Sequence, residues 1–525
     1  MTPQTFDKIN PATGKFLSQH PIATSEEVHS AVQSARMAQQ SWKKVSLPER
    51  ARLLKAIANA LYRQADELAS VISAEVGKPL TDALESDLGI AISIFRYYAA
   101  TAPKALAPRR IAPDLMSVLA GRSHREVFQP RGVIGIISPW NYPLAIPASG
   151  IAACLAAGNA VVLKPSELSP ETGKRLVTVI REVCKAAGVS EDLVQVVTGD
   201  ASTGQALVQS AVDGLIFTGS GATGRWIEKE AAERGLWCSL ELGGSDAMIV
   251  LDHCDAERAA SYAVWGRFVN AGQACAAVKR LLVPERELDR WLKILRCKTS
   301  QIKVGSPDEP DCHYGPLISE KQLLLLESQV QDALEKGAEL VTGGQRLARE
   351  GYFYPPTILT RIPPDARLLR EETFGPVLAV IPYRTVEEAV QITNATQFGL
   401  TACVFGPDTK ARRLAEQLDC GTVMINDIGA SNYAMVCAPW GGWKQSGQGR
   451  SHGIRALQEL SLRKVVSANA RFHWPVLNKP LWLFSKDVPT KDRAQTVLAF
   501  ASQHLSILNP VTWLAFWRHR SATRI

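Results

Sequence analysis

From residue 132 onward, short β-branched runs alternate with helix-length segments, and this alternation limits the possible fold more than any other feature of the chain. Residues 132–138 (GVIGIIS) form a run of strand length ended by Pro139, and residues 160–163 (AVVL) form another. Residues 194–197 and 214–217 repeat the pattern, with helical segments at 151–158, 171–187 and 203–209 between them. A run that is apolar on both faces suits a strand covered on both sides. A helix between two such strands carries the chain back so that they pair in parallel. After Gly243-Gly244 the pattern resumes, with strands at 247–251, 280–283, 377–383, 401–405 and 421–425 and helices such as 320–336 and 409–418. The expected fold class is α/β, with two parallel-sheet domains meeting near residues 242–245.

Ahead of this region, residues 25–76 are largely helical in pattern, and within 49–61 Leu53, Ile57 and Leu61 recur four apart. Gly77-Lys78-Pro79 breaks the pattern, a further helix is expected over 84–99, and the proline-rich, basic stretch 103–113 reads as a connector. A chain of 525 residues has room for two or three domains. Of its net charge of +8, +6 belongs to the C-terminal tail, because residues 471–525 hold eight Lys/Arg against two Asp. The body is nearly neutral and makes no case for nucleic-acid binding. The first fifteen residues lack the basic start and apolar stretch of a secretory signal, and no apolar run reaches bilayer length, so a cytoplasmic location is expected. In the tail, Leu498, Ala501, Leu505 and Leu508 share one helical face, followed by the aromatic and basic segment 513–520. Two readings stay open for it: a helix packed on the protein or a neighbouring subunit, or a peripheral membrane contact.

The ten cysteines show no C-x-x-C pair and no regular spacing, which fits neither a disulfide framework nor a metal site. Cys275 stands out by context. It ends the sequence Asn270-Ala-Gly-Gln-Ala, where Gly272 permits a tight turn and small neighbours leave the thiol approachable. Alone, it reads equally as a small buried hydrophobe. Glu241 precedes Leu242-Gly243-Gly244 and is either a hinge residue or a general base with room to swing. Residues 217–224 (FTGSGATG) lie between strand and helix and could bring backbone close to a pyrophosphate, although the spacing is not G-x-G-x-x-G. Lys164 and Glu167 follow a strand, where they could meet ribose hydroxyls or simply form a solvated turn. Asn141, between Trp140 and Tyr142 in a proline-bracketed loop, offers an amide that could donate to an oxyanion.

Together, PWNYP at Pro139, KPSE at Lys164, FTGS at Phe217, ELGG at Glu241, GQAC at Gly272, GPLI at Gly315, EETFGPV at Glu371 and PWGGWKQSGQGR at Pro439 resemble the aldehyde dehydrogenase superfamily. The resemblance runs over roughly residues 5–470 and includes the 34-residue step from Glu241 to Cys275 and the 97-residue step from Cys275 to Glu372. It implies a Rossmann-like cofactor domain (1–121 and 139–242) and a catalytic domain (243–445). It also implies a small β oligomerisation element (122–138 and 446–470) and leaves a basic, Trp-rich extension at 471–525. By the same resemblance, Cys275 would be the nucleophile, Asn141 and the Cys275 N–H the oxyanion donors, and Glu241 the base that hydrolyses a thioester. Trp140, Lys164, Glu167, Gly219 and Ser220 would hold the adenine half of NAD(P), and Glu372 and Phe374 its nicotinamide half. A homodimer or homotetramer paired through 122–129 and 463–468 is implied as well.

ELGG is followed here by Ser245-Asp246 rather than the more usual lysine, which together with Asn426-Asp427 looks more like a branch containing bacterial succinate-semialdehyde dehydrogenases. Ala277 occupies a position where some members carry a second, regulatory cysteine. Glu167 favours NAD, since a carboxylate repels a 2′-phosphate; NADP is the alternative. Tyr142, Trp265, Phe268, Tyr433 and Trp443 suggest an apolar tunnel for a medium-chain or aromatic aldehyde. Succinate semialdehyde would need a cation, for which Arg267 is the candidate. Competing readings are a CoA-acylating relative and a non-catalytic protein on the same scaffold.

Overall fold

The computed structural model describes residues 4–114, 117 and 122–469, and the tail readings lie outside them. The chain divides into two compact units, the larger built from residues 1–105 and 130–462. It opens with the antiparallel hairpin β1 (Thr5–Ile9) and β2 (Phe16–Pro21), then three helices. The first two helices carry capping boxes, Thr24 with Glu27 and Ser46 with Glu49, so side chains satisfy N–H groups that helix geometry leaves free.

Two sheets follow. The first has six strands in the order β19-β9-β8-β5-β6-β7. They are β5 (Val133–Ile137), β6 (Ala160–Lys164), β7 (Val194–Val196), β8 (Gly214–Thr218), β9 (Trp237–Glu241) and the short β19 (Gly447–Gln448). All pair in parallel except β19. From β5 the chain builds outward through β6 and β7, then returns to the other side of β5 to lay down β8 and β9. The carboxyl ends of β5 and β8 therefore flank a switch point, where open α/β sheets bind ligands.

The second sheet has seven strands in the order β12-β13-β14-β11-β10-β16-β17. These are β10 (Asp246–Val250), β11 (Val278–Pro284), β12 (Glu339–Thr342), β13 (Thr357–Thr360), β14 (Val377–Tyr383), β16 (Thr401–Phe405) and β17 (Thr422–Ile425). Only β12 runs antiparallel. A two-stranded pair, β15 (Phe398–Gly399) with β18 (Trp443–Lys444), lies outside both sheets. The change of sheet falls between β9 and β10, across Leu242–Ser245, where the sequence pattern put it.

In the other unit, β3 (Arg109–Ile111) pairs antiparallel with β4 (Arg122–Pro130), which lies between β3 and β20 (Ser461–Asn469) in a three-stranded sheet. The β element is therefore smaller than 122–138 and 446–470: Val133–Ile137 is a central strand of the six-stranded sheet, with four of its five residues buried. The expected connector at 103–113 also needs correction. Residues 103–105 complete the helix Ile90–Ala105 despite Pro103, and 109–111 form β3. The helix expected over 84–99 begins as a π-helical turn, Ala83–Gly89, a form frequent at functional sites. Within it, buried Asp87 accepts from the backbone N–H of Leu144 (3.1 Å) and Ala145 (3.0 Å) and pairs with buried Lys78 (2.7 Å).

Candidate active site

Cys275 lies on the loop entering β11, and its local geometry starts with three consecutive residues at positive φ: Asn270 (52°), Ala271 (55°) and Gly272 (71°). L-residues tolerate this region poorly, at about 1–3 kcal/mol each, so the turn must be fixed by its surroundings. Asn270 Nδ2 donates to the carbonyls of Asn141 (3.0 Å) and Gln273 (3.2 Å), and Gln273 Nε2 returns a bond to the Asn270 carbonyl (3.1 Å). Gln273 Oε1 accepts from Ile318 N–H at 2.9 Å, which ties GQAC to GPLI. A side chain at position 272 would collide with the Gly375 carbonyl, so glycine is needed there for both conformation and clearance.

Asn141 is buried and donates Nδ2 to the Gln273 carbonyl at 3.2 Å, which places its amide beside the Cys275 loop. The Cys275 thiol is pushed up to about 12 by desolvation, opposed chiefly by the ammonium of Lys279.

Glu241 ends β9. Its Oε1 accepts from the Ser451 hydroxyl at 2.7 Å. Burial pushes its carboxyl up to about 7, against the Ser451 bond and the nearby Arg450 guanidinium. The two glycines after Glu241 are held in place: Ser446, wholly buried, donates to the Gly243 carbonyl (2.7 Å) and accepts from Gly399 N–H (2.9 Å). A Cβ on Gly243 would strike the Glu372 carboxylate, and Gly244 N–H donates to Glu372 Oε1 at 3.1 Å. ELGG is thus fastened to EETFGPV.

Cys275 and Glu241 line one cavity, with about 680 Å³ of space between atoms, part of it open to solvent. Its walls are mostly apolar, including Ile136, Ile146, Ile216, Trp237 and Leu460. Of the five aromatics expected there, only Tyr433 lines it. Trp265 and Trp443 are about half exposed, Phe268 is core, and Tyr142 packs its ring over Lys78 Nζ (4.1 Å). Arg267 is wholly buried, donates Nη2 to the carbonyls of Thr373 and Gly375, and is not among the residues lining the cavity, so it is not a cation for a substrate carboxylate there.

The remaining candidates lie after the carboxyl ends of β5, β6 and β8 in the six-stranded sheet and just before β14 in the seven-stranded one. Lys164 ends β6, buried, and pairs with half-exposed Glu167 at 3.3 Å. Gly219 follows β8, and Ser220 caps the helix Gly221–Glu233, accepting from Thr223 N–H. A Cβ on Gly219 would meet the Phe217 ring at 2.6 Å, so this turn admits close approach only as glycine. Glu372 and Phe374 precede β14, Glu372 accepting from Gly244 N–H. A switch-point crevice, a helix amino terminus for phosphates and hydroxyl-binding side chains on its rim fit a dinucleotide. Trp140, expected beside the adenine half, instead meets Phe374 edge-on at 5.5 Å, at the end of the crevice expected to hold nicotinamide.

Sequence reasoning missed Ser451, His452 and Lys279. The two former follow GQGR without any pattern of their own, and reach the cavity only because the short β19 returns the chain to β9. His452 is lowered to about 4 by burial, so its imidazole is neutral.

The aldehyde dehydrogenase family model matches residues 1–466. Aminoaldehyde dehydrogenase 1, peroxisomal, of Pisum sativum is 37% identical over 477 residues, covering 89% of this chain and 93% of that protein. The NADP(+) succinate-semialdehyde dehydrogenase of Deinococcus radiodurans is 37% identical over 476 residues, covering 90% and 96%. The NAD+ complex of an aldehyde dehydrogenase from Bacillus cereus aligns with a TM-score of 0.84 at 33% identity, over 89% of this chain and 93% of that one.

Proposed function

This chain belongs to the aldehyde dehydrogenase family and oxidises aldehydes; from that premise we propose that Cys275 is the nucleophile and Glu241 the base of a hydrolytic thioester mechanism. The observation that carries this assignment is the single cavity that both side chains line. The Cys275 thiolate adds to the carbonyl carbon, and the oxyanion rests on the Cys275 N–H and on the second N–H of the Asn141 amide, whose first is given to Gln273. Lys164, Glu167, Gly219, Ser220, Glu372, Phe374 and Trp140 would hold a nicotinamide dinucleotide, which when bound would supply the two-electron acceptor for the hydride whose loss leaves a thioester on Cys275. Glu241 then takes a proton from the water that attacks the thioester, and Cys275 leaves as thiolate. In this scheme the six-stranded sheet serves the cofactor and the seven-stranded sheet carries the nucleophile.

We propose a medium-chain or aromatic aldehyde as substrate, since the cavity wall is mostly apolar and Arg267 is engaged elsewhere. NADH formation with hexanal, benzaldehyde and succinate semialdehyde, each with and without CoA, tests this. Higher kcat/KM for the first two, independent of CoA, is expected. A requirement for CoA would point to thioester transfer, and no NADH from any aldehyde would sink the enzyme reading.

NAD is the proposed cofactor, because a Glu167 carboxylate beside the adenosine ribose would repel a 2′-phosphate. Glu167→Gln frees Lys164 from its ion pair, and the ratio of kcat/KM for NADP over NAD is expected to rise about tenfold. The acid limb of kcat should fall near pH 7, where Glu241 loses its proton. Ser451→Ala removes a donor to the charged form and should move that limb upward in a kcat–pH profile.

The proposed assembly is a homodimer or homotetramer, with Ile111, Val465 and Val466 exposed on the three-stranded sheet as the pairing surface. Among the described residues no helix is long and apolar enough to cross a membrane. A cytoplasmic location is proposed; for residues 471–525 the two readings are a peripheral membrane contact and packing on the protein, and liposome co-sedimentation of the full chain against a 1–475 truncation separates them.

A further inference from the structure

Next to the nucleophile lies a group of buried charges that the reaction described above does not use. Lys279, on β11, turns its ammonium back to the preceding loop and donates to the carbonyls of Ala274 (3.1 Å) and of Cys275 itself (2.5 Å). Its side chain is 3% exposed. The charged groups facing it come from each surrounding element. Glu372, before β14, approaches to 3.9 Å, and Asp246 opens β10 with its carboxylate bonded to the Thr401 hydroxyl (2.5 Å) and N–H (3.2 Å). Two other buried cations bond to backbone: Arg280 to the carbonyls of Ser245, Ile392 and Thr393, and Arg267, through Nη2 alone, to those of Thr373 and Gly375. Ser245, between Gly244 and Asp246, brings no ammonium to this group.

We propose that Lys279 is a positioning residue for catalysis: it fixes the backbone of Ala274 and Cys275, and its positive charge favours the thiolate of Cys275 over the thiol. The proposal rests on the reading of Cys275 as nucleophile. A thiolate in a desolvated pocket is costly, and a cation bound to the nucleophile's own residue is the arrangement that offsets this. Among the influences on Cys275, Lys279 is the first to oppose desolvation, while Glu241, Asp246 and Glu372 act against it. Asp246 and Glu372 also keep the ammonium charged, although burial pulls Lys279 downward.

The test is the pH dependence of iodoacetamide alkylation in the full-length enzyme, with Cys275→Ser identifying the signal of that thiol. Lys279→Met is expected to raise the alkylation midpoint by about 1–3 pH units, slowing alkylation about tenfold per unit below it. Lys279→Arg should recover most of the shift, and Asp246→Asn, which removes a negative charge, should lower the midpoint. A merely structural lysine would not give shifts of opposite sign. An unmoved midpoint in folded Lys279→Met overturns the proposal. Should that variant not fold, a midpoint that fails to fall in Asp246→Asn, or that rises in Lys279→Arg as after full loss of charge, overturns it equally. Failure of the underlying reading looks different: Cys275→Ser would then keep its aldehyde turnover, whatever Lys279 does to the thiol.

Discussion

Cys275→Ser is expected to lower kcat for aldehyde oxidation by about 10⁴-fold or more, with cofactor binding intact. The loss is large because a serine hydroxyl ionises far less readily than a thiol and has no partnered base of its own. The field of Lys279 and the oxyanion donors would act on a nucleophile that seldom forms. The loop itself should persist, since Asn270, Gln273 and Gly272 hold it and none contacts the thiol through a bond the substitution removes. Steady-state NADH formation and cofactor titration, measured on the same preparation, separate lost chemistry from lost fold.

Glu241→Gln is expected to show a different defect. Acylation does not use the carboxylate, so one equivalent of NADH per active site should appear in a burst. Subsequent turnover should fall by about 10²–10⁴-fold, the range for removal of a general base. The amide can still accept from Ser451, so the geometry of the cavity should change little. Rapid-mixing measurement of NADH against time checks both phases. A variant with neither burst nor turnover would move Glu241 from hydrolysis to the first step.

Much of this arrangement was legible in the sequence, and the reasons are physical. Strands buried on both faces write themselves as short apolar runs, so β5, β6, β8, β14 and β16 could be placed within a residue or two. Helix Ser25–Trp42 and its successor carry periodicity and capping boxes together. The catalytic candidates were legible only as a set. Gln273 is bonded to Ile318, 45 positions away, and Gly244 to Glu372, 128 away, so motifs far apart in the chain are parts of one object.

What could not be read was direction of side chains. Arg267 sits at helical spacing beside aromatic residues and looked available, yet it points into the core to hold the turn at 373–375. Trp265 and Trp443 turn their rings partly to solvent, and of the three only Tyr433 lines the cavity. Ser451 has no local signal, because its role depends on β19 pairing with a strand some 200 residues earlier. The short β3 and the π-helical turn at 83–89 likewise depend on tertiary partners.

In the proposed mechanism the substrate becomes covalently attached to Cys275 and Glu241 releases it. Glu241→Gln enzyme mixed with hexanal and NAD, quenched in acid and digested, tests this directly by peptide mass spectrometry. A hexanoyl mass increase is expected on the peptide containing Cys275, absent when NAD is omitted and absent in the Cys275→Ser, Glu241→Gln double variant. An unmodified Cys275 peptide after NADH has formed, or the acyl group on any of the other nine cysteines, would contradict it.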